Sequence, residues 1–182
     1  MIFHKAQSAI ASDRHRFRVV NCGRRFGKTT LAVYEMVAKA SGVENGSIAY
    51  IAPTYQQARD IAWNQLKHIC VPVMHGKPNE SRLELNIKNK YNKVSTIFLR
   101  GWESVETLRG QRFDLLVLDE ISQYRNFWVN WHEVLRPTLT DTQGHGLFIS
   151  TPKGFNHFYD LYNLQAKDTD YVSFHYTSYD NP

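Results

Sequence analysis

Residues 22–30, Cys-Gly-Arg-Arg-Phe-Gly-Lys-Thr-Thr, constrain the fold of this 182-residue chain more than any other segment. Gly27 lets the backbone approach a phosphate group closely, and successive N–H groups point inward where such a loop turns into a helix. Lys28 can then reach the β- and γ-phosphate oxygens of a nucleotide, and Thr29 can offer its hydroxyl to Mg²⁺. We therefore predict an ATP-binding loop. Its predicted contact residues are Cys22, Gly23, Arg24, Arg25, Phe26, Gly27, Lys28, Thr29 and Thr30.

The segments on either side of the loop have the patterns that such a loop requires. Residues 17–20 are typical of a short strand, and the apolar residues after the loop recur at helical spacing until Gly42. The loop departs from the usual Gly-x-x-x-x-Gly-Lys-Ser/Thr pattern, because Cys22 stands where the first glycine is expected and Gly23 follows it. The alternative interpretation is a glycine turn that starts an ordinary helix.

Two adjacent carboxylates, Asp119 and Glu120, follow the apolar run 113–118, which has the length of a buried strand. Open α/β sheets bind their ligands at the carboxyl ends of such strands. In this position Asp119 would hold Mg²⁺, and Glu120 would orient and deprotonate the water that attacks the γ-phosphate. The alternative is a strand that ends in two solvated acids.

A third apolar segment, residues 146–149, ends in Ser150, Thr151 and Pro152. We predict a strand whose two terminal hydroxyls sense the γ-phosphate and couple hydrolysis to movement. A strand that runs into an ordinary turn is the alternative.

Composition indicates one compact domain over residues 1–182, because 42% hydrophobic residues suffice for a single core. Cys22 and Cys70 have no metal-ligand spacing, which argues against a zinc site or a disulfide framework. No apolar stretch approaches membrane-spanning length, and the first residues lack the core of a signal peptide. We therefore expect a protein of the cell interior with no membrane contact.

Basic residues give the chain a net charge of +5, which suits a polyanionic partner. One basic group is predicted to serve ATP and comprises Arg14, Arg16, Arg18, Arg24 and Arg25. A second group, predicted to contact DNA, comprises Lys88, Lys90 and Lys93 beside Tyr91. The alternative for the second group is the solvated turn of a hairpin.

Strands and helices alternate along the chain, which predicts a mainly parallel sheet flanked by helices. Further strands are predicted at 47–52 and 171–176, a β-hairpin at 83–87 and 94–99, and helices at 56–69, 127–135 and 155–166. A strand–helix unit and this hairpin separate the phosphate loop from Asp119, and a glutamate is adjacent to that aspartate. These features predict an α/β P-loop NTPase of the RecA-like (ASCE) branch, with a β-hairpin insertion.

Several segments together carry a likeness to a known family. They are the arginine-containing loop 23–30, Tyr50-Ile51-Ala52-Pro53-Thr54, Leu108-Arg109-Gly110-Gln111-Arg112, Ser150-Thr151-Pro152 and the closing Tyr179-Asp180-Asn181-Pro182. With these segments, spread over essentially all 182 residues, the chain resembles the large terminase subunit of tailed double-stranded DNA bacteriophages. That family comprises the ATP-driven motors that package the genome into a procapsid.

The resemblance assigns roles to three further side chains. Gln7 matches the residue that recognises adenine through its amide, although a lone surface glutamine is the alternative. Arg24 matches the loop arginine that contacts the γ-phosphate. Arg109 matches an arginine proposed to reach the ATP of a neighbouring subunit, while a structural salt bridge is the alternative.

The resemblance implies ATP hydrolysis, with Mg²⁺, that drives translocation of double-stranded viral DNA. It also implies assembly into a ring, with a portal protein and a small terminase subunit as partners. The expected location is the cytoplasm of the infected bacterial host, transiently at the procapsid portal and not in the virion. The family's C-terminal RNase H-like nuclease is missing from this sequence, so no nuclease activity is expected and a longer parent protein is suspected. Alternatives are a helicase-like, nucleic-acid-dependent ATPase motor domain and an ATP-binding switch with little turnover.

Overall fold

A single mixed sheet organises the protein, whose computed structural model describes residues 3–180. Within this range seven strands lie in the spatial order β3-β4-β2-β5-β6-β1-β7. They are β1 (Phe17–Cys22), β2 (Ser47–Ala52), β3 (Glu84–Lys88), β4 (Val94–Gly101), β5 (Leu115–Asp119), β6 (His145–Ser150) and β7 (Tyr171–Tyr176). Among these strands β3 and β4 pair antiparallel, and each of the other neighbouring pairs is parallel. The predicted mainly parallel sheet with a hairpin is therefore confirmed.

Helices cover both faces of the sheet. The α-helices are α1 (Lys5–Ser12), α2 (Lys28–Gly42), α3 (Tyr55–Ala58), α4 (Asn64–Cys70), α5 (Phe127–Asn130) and α6 (His157–Tyr162). A π-helical stretch, Arg59–Trp63, joins α3 to α4, and a second, Trp131–Leu135, follows α5. Shorter 3-10 segments are Trp102–Leu108, Ile121–Gln123, Arg136–Leu139, Asn163–Ala166 and Ser178–Asp180. Every helix in the described part of the chain is too short or too polar to cross a bilayer.

Two apolar clusters, one on each face of the sheet, form the core. Alternate side chains of a strand point to opposite faces, so Val20 and Val117 join one cluster while Val19 and Leu118 join the other. The first cluster also takes residues of α1, α2 and α4, and the second takes residues of α5, α6 and the segment Trp102–Leu108. The sheet is thus the middle of three layers.

Each predicted strand and helix corresponds to an observed element, but several observed segments were not predicted. Strands 47–52 and 171–176 have the predicted bounds, and the predicted helix 56–69 corresponds to α3, the π-helical stretch and α4. The sequence analysis did not predict α1 or the 3-10 segment Trp102–Leu108. In α1 only Ala6, Gln7 and Ile10 are buried, so its apolar pattern is too short to be recognised.

Parallel pairing brings the ends of three neighbouring strands to one edge of the sheet. In register, Asn21 of β1 lies opposite Ser150 of β6, and Asp119 of β5 lies opposite Ile149. The phosphate loop, the acidic pair and the Ser-Thr-Pro segment therefore leave adjacent strands at the same edge, where open α/β sheets bind ligands.

Arg14, Arg16 and Arg18, which were predicted to serve ATP with the loop arginines, lie elsewhere. They precede or begin β1, whose direction places its first residues at the edge of the sheet away from the loop. Arg16 donates to the carbonyls of Gly144 and Leu139 at 3.0 and 3.2 Å. The prediction of an ATP-binding role is wrong for these three arginines.

Arg18 instead fixes two helices to the sheet. Its guanidinium is buried, with the residue only 5% exposed, and lies 2.6 Å from Glu35 Oε2 of α2. It also donates to the carbonyl of Ile10 at 2.8 Å, which holds the end of α1. Because buried charges require partners, this ion pair explains why two charged residues occupy the interior.

The basic hairpin turn lies at the amino edge of the sheet, since β4 runs parallel to β2 and begins just after the turn. Lys88, Lys90 and Lys93 are exposed there, and Lys90 Nζ lies 4.9 Å from the centroid of the half-exposed Tyr91 ring. Both earlier interpretations fit this arrangement, so DNA contact by the turn stays a prediction.

Replacing Arg18 with methionine is expected to destabilise the fold, because it leaves the Glu35 carboxylate buried without a cation. Breaking such a pair typically costs about 3–5 kcal/mol, and we expect a loss of that order in the free energy of unfolding by urea. The double variant Arg18→Met/Glu35→Leu, which removes both charges, should recover most of it. Equal losses in the single and double variants would contradict this role of the pair.

Candidate functional site

The end of the phosphate loop requires glycine for two reasons. Gly27 precedes α2 with a left-handed φ of +89°, which side chains rarely adopt. A Cβ atom at this position would also lie 2.5 Å from Nε2 of Gln7. The backbone is thus free to approach a phosphate group at the N-terminus of a 15-residue helix, where N–H groups favour negative charge.

The start of the loop explains why Cys22 replaces the usual glycine. Cys22 is the last residue of β1, lies opposite Tyr176 of β7 and is fully buried, and burial raises the pKa of its thiol to about 12. The loop therefore starts at Gly23, whose N–H donates to the Tyr176 carbonyl at 3.1 Å. A Cβ on Gly23 would lie 2.5 Å from Ser178 Oγ, so the one-residue shift of the glycine suits the close packing of this segment.

Phe26 anchors the middle of the loop to the core. Its ring is fully buried, stacks on Tyr176 at a centroid distance of 5.3 Å and meets His4 edge-on at 5.0 Å. His4 Nε2 also lies 3.1 Å from the Phe26 carbonyl. Because the ring is buried, only the backbone N–H of Phe26 could make the predicted phosphate contact.

The remaining loop residues differ in how their side chains are placed. Arg24 and Arg25 are exposed, and Arg25 has a left-handed φ of +64°. Thr29, in the first turn of α2, is half-buried, while the Thr30 hydroxyl accepts from the Gln65 amide of α4 at 3.2 Å. The Thr30 side chain thus has a partner in α4, and both arginines are exposed to solvent.

Lys28 joins the three predicted motifs. Its ammonium donates to Thr151 Oγ1 at 2.9 Å and lies 3.3 Å from Glu120 Oε1. The Thr151 hydroxyl in turn lies 3.4 Å from the same carboxylate oxygen. Residues from three segments far apart along the chain therefore form one cluster at the edge of the sheet.

Asp119, the residue before Glu120, is buried in the interior. It is 3% exposed, Tyr50 donates to its Oδ2 at 2.6 Å, and the Glu120 N–H donates to its Oδ1 at 2.9 Å. Burial raises the pKa of the Asp119 carboxyl to about 6, although the hydrogen bond from Tyr50 and the charge of Lys28 oppose that rise. A cation beside Asp119 would therefore stabilise the charged form of this carboxylate.

Glu120 has an unusual backbone conformation. Its φ and ψ of 52° and 40° are left-handed, which a residue with a side chain adopts at a cost of about 1–3 kcal/mol. This turn at the end of β5 accompanies the approach of the Glu120 carboxylate to Lys28. Backbone strain of this kind clusters at functional sites.

Ser150 connects the ends of β6 and β5. Its side chain is fully buried, and its Oγ accepts the Ser122 N–H at 3.2 Å and lies 2.9 Å from Ser122 Oγ. Because Ser122 belongs to the 3-10 turn directly after Glu120, the two predicted coupling residues act on different partners. Thr151 contacts the charged groups, and Ser150 contacts the turn that carries one of them.

Gln7 of α1 lies against the loop. Its Nε2 donates to the Gly27 carbonyl at 3.2 Å, and its Oε1 accepts the His4 N–H at 3.3 Å as part of a helix cap. The residue is 5% exposed. The amide thus supports the phosphate loop, and its role in adenine recognition stays a prediction.

Arg109 lies on the surface of the protein. In the part of the chain that the structure describes, its guanidinium donates to both carboxylate oxygens of Glu106, at 3.0 and 3.2 Å, and to the Glu133 carbonyl at 2.9 Å. The salt bridge that was the alternative is therefore present, while the exposed position leaves a role toward another subunit as a prediction.

Sequence reasoning missed Tyr50 and Ser122. Tyr50 interrupts the otherwise apolar run Ile-Ala-Tyr-Ile-Ala of β2, and a hydroxyl in a fully buried strand requires a partner. That signal was available, but the identity of the partner depends on β2 lying beside β5, which only the topology provides.

Comparisons with known proteins agree with this fold and site. Residues 19–182 match the family model described as terminase large subunit, T4-like-virus type, N-terminal. The terminase large subunit of Thermus phage G20c is 29% identical over 207 residues, which cover 97% of this chain and 42% of that protein. The chain thus spans about two fifths of that relative's length.

Solved structures give the same picture. The large terminase ATPase domain of Thermus phage P74-26 superposes with a TM-score of 0.85 at 27% identity, covering 98% of this chain and 82% of that one. A large terminase of a thermophilic bacteriophage, in complex with ATP-γ-S, has a TM-score of 0.75 at 17% identity, covering 99% and 46%, and so supports the fold alone. The predicted RecA-like P-loop fold is confirmed. Asn181 and Pro182, part of the closing motif of the resemblance, lie outside the described residues.

Replacing Gly27 with alanine is expected to lower stability more than the same change at Gly76. Both glycines have a left-handed φ, but a Cβ on Gly76 meets nothing within 4 Å, whereas one on Gly27 meets Gln7. We expect a loss of about 1 kcal/mol for Gly76→Ala from backbone strain and about 2–3 kcal/mol for Gly27→Ala, measured by urea unfolding. Adding Gln7→Ala to Gly27→Ala should reduce the difference. Equal losses of stability in Gly27→Ala and Gly76→Ala would show that the Gln7 side chain moves aside without destabilising the protein.

Proposed function

Because the chain belongs to the family of T4-like-virus-type terminase large subunits and matches their N-terminal region, we propose that it is a Mg²⁺-dependent ATPase domain that drives translocation of double-stranded DNA into a viral procapsid. The observation that carries this proposal is the cluster of Lys28, Glu120 and Thr151 at the carboxyl edge of the sheet. A phosphate-binding lysine, a candidate base and a candidate sensor are all in contact there, which is the set of groups that phosphoryl transfer requires.

Binding of ATP begins with the phosphate groups at the N-terminus of α2. The loop N–H groups and the helix dipole attract the phosphate oxygens, and the Lys28 ammonium exchanges Glu120 and Thr151 for the β- and γ-phosphates. Lys28 is the first residue of α2, so its side chain starts beside the loop N–H groups that would hold the phosphates.

The side chains suited to Mg²⁺ are the Asp119 carboxylate and the Thr29 hydroxyl. Both are hard oxygen donors, and Mg²⁺ at nucleotide sites takes one or two such protein ligands together with phosphate oxygens and water. The buried Asp119 carboxylate, whose pKa is raised, fits this role because a cation would offset the cost of its charge. When bound, Mg²⁺ neutralises charge on the phosphate oxygens.

Glu120 acts as the general base once Lys28 has moved to the phosphates. Its carboxylate then loses the ion pair and is able to orient the attacking water and accept its proton. Thr151, which contacts both Lys28 and Glu120, is placed to respond to the γ-phosphate, and Ser150 passes a shift to the turn after Glu120.

Two arginines are candidates for stabilising the charge of the transition state. Arg24 lies on the loop of the same subunit, whereas the exposed Arg109 would reach the ATP of a neighbour in a ring. Breaking the surface salt bridge between Arg109 and Glu106 would cost little free energy, since such bridges typically contribute at most about 1 kcal/mol. We favour Arg109 in trans and Arg24 as a phosphate contact in cis.

The remaining partners follow from the family. We propose double-stranded DNA as the substrate that is moved, a portal protein and a small terminase subunit as further partners, and the host cytoplasm and procapsid portal as the place of action. An ATP-binding switch with little turnover is the second candidate, favoured by the ion pair between Lys28 and Glu120, which must break before either group can act on ATP.

Replacing Glu120 with glutamine is expected to preserve ATP binding and to abolish hydrolysis. Loss of a general base typically lowers the rate by about 10²–10⁴-fold, while the amide keeps the size of the side chain. Phosphate release and the affinity for a fluorescent ATP analogue would be measured together. Lys28→Ala, the contrasting variant, should weaken both. Normal turnover in Glu120→Gln would remove the glutamate from this role.

Replacing Arg109 with alanine is expected to remove ATPase activity that depends on subunit contact, by about 10³-fold or more if it acts as an arginine finger. The specific rate of the unmodified protein should rise with its concentration. Mixing Arg109→Ala with Glu120→Gln should restore part of the rate, because one variant retains the base and the other supplies the arginine. Arg112→Ala is the control, since Arg112 is exposed in the same loop.

Failure of the mixture to recover activity would exclude Arg109 in trans. A rate that is independent of concentration and is lost in Arg24→Ala would instead assign the role to the loop arginine. A protein that binds ATP without measurable turnover, with or without double-stranded DNA, would favour the switch.

A further inference from the structure

A buried phenol contacts the carboxylate that is suited to Mg²⁺. Tyr50 lies in the centre of β2, is 0% exposed, and stands opposite Val117 of β5. Its hydroxyl donates to Asp119 Oδ2 at 2.6 Å. This distance is in the range of strong, charge-assisted O–H···O⁻ bonds.

The hydrogen bond fixes one of the two oxygens of Asp119. The other oxygen, Oδ1, accepts the Glu120 N–H, so each carboxylate oxygen has a hydrogen bond that opposes its rotation. Each carboxylate oxygen has two lone pairs, and both therefore retain one for a metal ion or a metal-bound water. The bond from Glu120 also comes from the residue with the left-handed backbone, so the same carboxylate braces the turn that carries the base.

The ring of Tyr50 packs in the first apolar cluster, but a phenylalanine ring would fill that space without a hydroxyl. A buried hydroxyl is unfavourable unless it finds a partner, and here the partner is the carboxylate at the end of the adjacent strand. Packing thus accounts for the ring of Tyr50, and the bond to Asp119 accounts for its hydroxyl.

A second buried tyrosine provides a contrast. The Tyr124 hydroxyl lies 2.7 Å from the Ile51 carbonyl and 2.9 Å from the Asp119 carbonyl, so it donates to the backbone. It is 3% exposed and lies within the same region of the protein. Tyr124 supports the strand ends, whereas Tyr50 touches the carboxylate itself.

From this geometry we propose that Tyr50 is a positioning residue that orients the Asp119 carboxylate for the Mg²⁺–nucleotide complex. The proposal rests on the proposed function, since it concerns the same site. Hydrogen-bond partners of metal-binding carboxylates typically change metal affinity by about 10–100-fold, and we expect an effect of about 10-fold from the loss of one phenol hydroxyl.

The test is equilibrium binding of a fluorescent ATP analogue to the Glu120→Gln protein as Mg²⁺ is titrated, compared with binding in EDTA. Adding Tyr50→Phe should raise the Mg²⁺ concentration at half-saturation about 10-fold and leave the affinity in EDTA unchanged. Adding Tyr124→Phe, the matched control, should change neither value, apart from a loss of stability seen by urea unfolding.

Each other outcome has a distinct meaning. Equal Mg²⁺ requirements in the two tyrosine variants would overturn the proposal, and so would equal weakening with and without Mg²⁺, since the phenol would then support only the fold. If the Glu120→Gln protein itself bound no ATP analogue, the proposed function would fail, and the role of Tyr50 would fall with it.

Discussion

The candidate site depends on the two contacts that the Lys28 ammonium group makes. This group lies between the Thr151 hydroxyl and the Glu120 carboxylate, and each of these follows a different strand of the sheet. Because β1, β5 and β6 are adjacent and parallel, three segments far apart in sequence end within reach of one side chain. The strand order therefore brings the three segments together, and Lys28 contacts the other two.

This arrangement imposes an order on the chemistry that we propose. While Lys28 is paired with Glu120, the ammonium contacts the carboxylate oxygen that would otherwise face an attacking water. A triphosphate carries more negative charge than one carboxylate and sits at the positive end of α2, so it competes favourably for the ammonium. Release of Glu120 then follows phosphate binding, which limits activation of water to the nucleotide-bound state.

Much of this could be predicted from the sequence because the signals are local. The strand 47–52 and the loop at Gly27 are defined by apolar runs and by a glycine–lysine–threonine pattern that acts within a few residues. Three features could not be predicted. The role of Arg18 depends on a partner 17 residues away in α2, that of Tyr50 depends on the order of strands, and α1 has too small an apolar face to be recognised.

The strained turn at Glu120 links the site to the opposite face of the sheet. Its left-handed backbone is braced from one side by Asp119, which accepts its N–H, and from the other by Ser150, which accepts the N–H of Ser122. The next turn also holds α6, because His157 Nε2 lies 2.6 Å from the Ile121 carbonyl. A shift of the Glu120 backbone would therefore alter the hydrogen bonds to Asp119, to Ser150 and to α6. Because packed interiors have few voids and transmit strain, the turn after Glu120 mechanically connects the end of β5 to the start of α6.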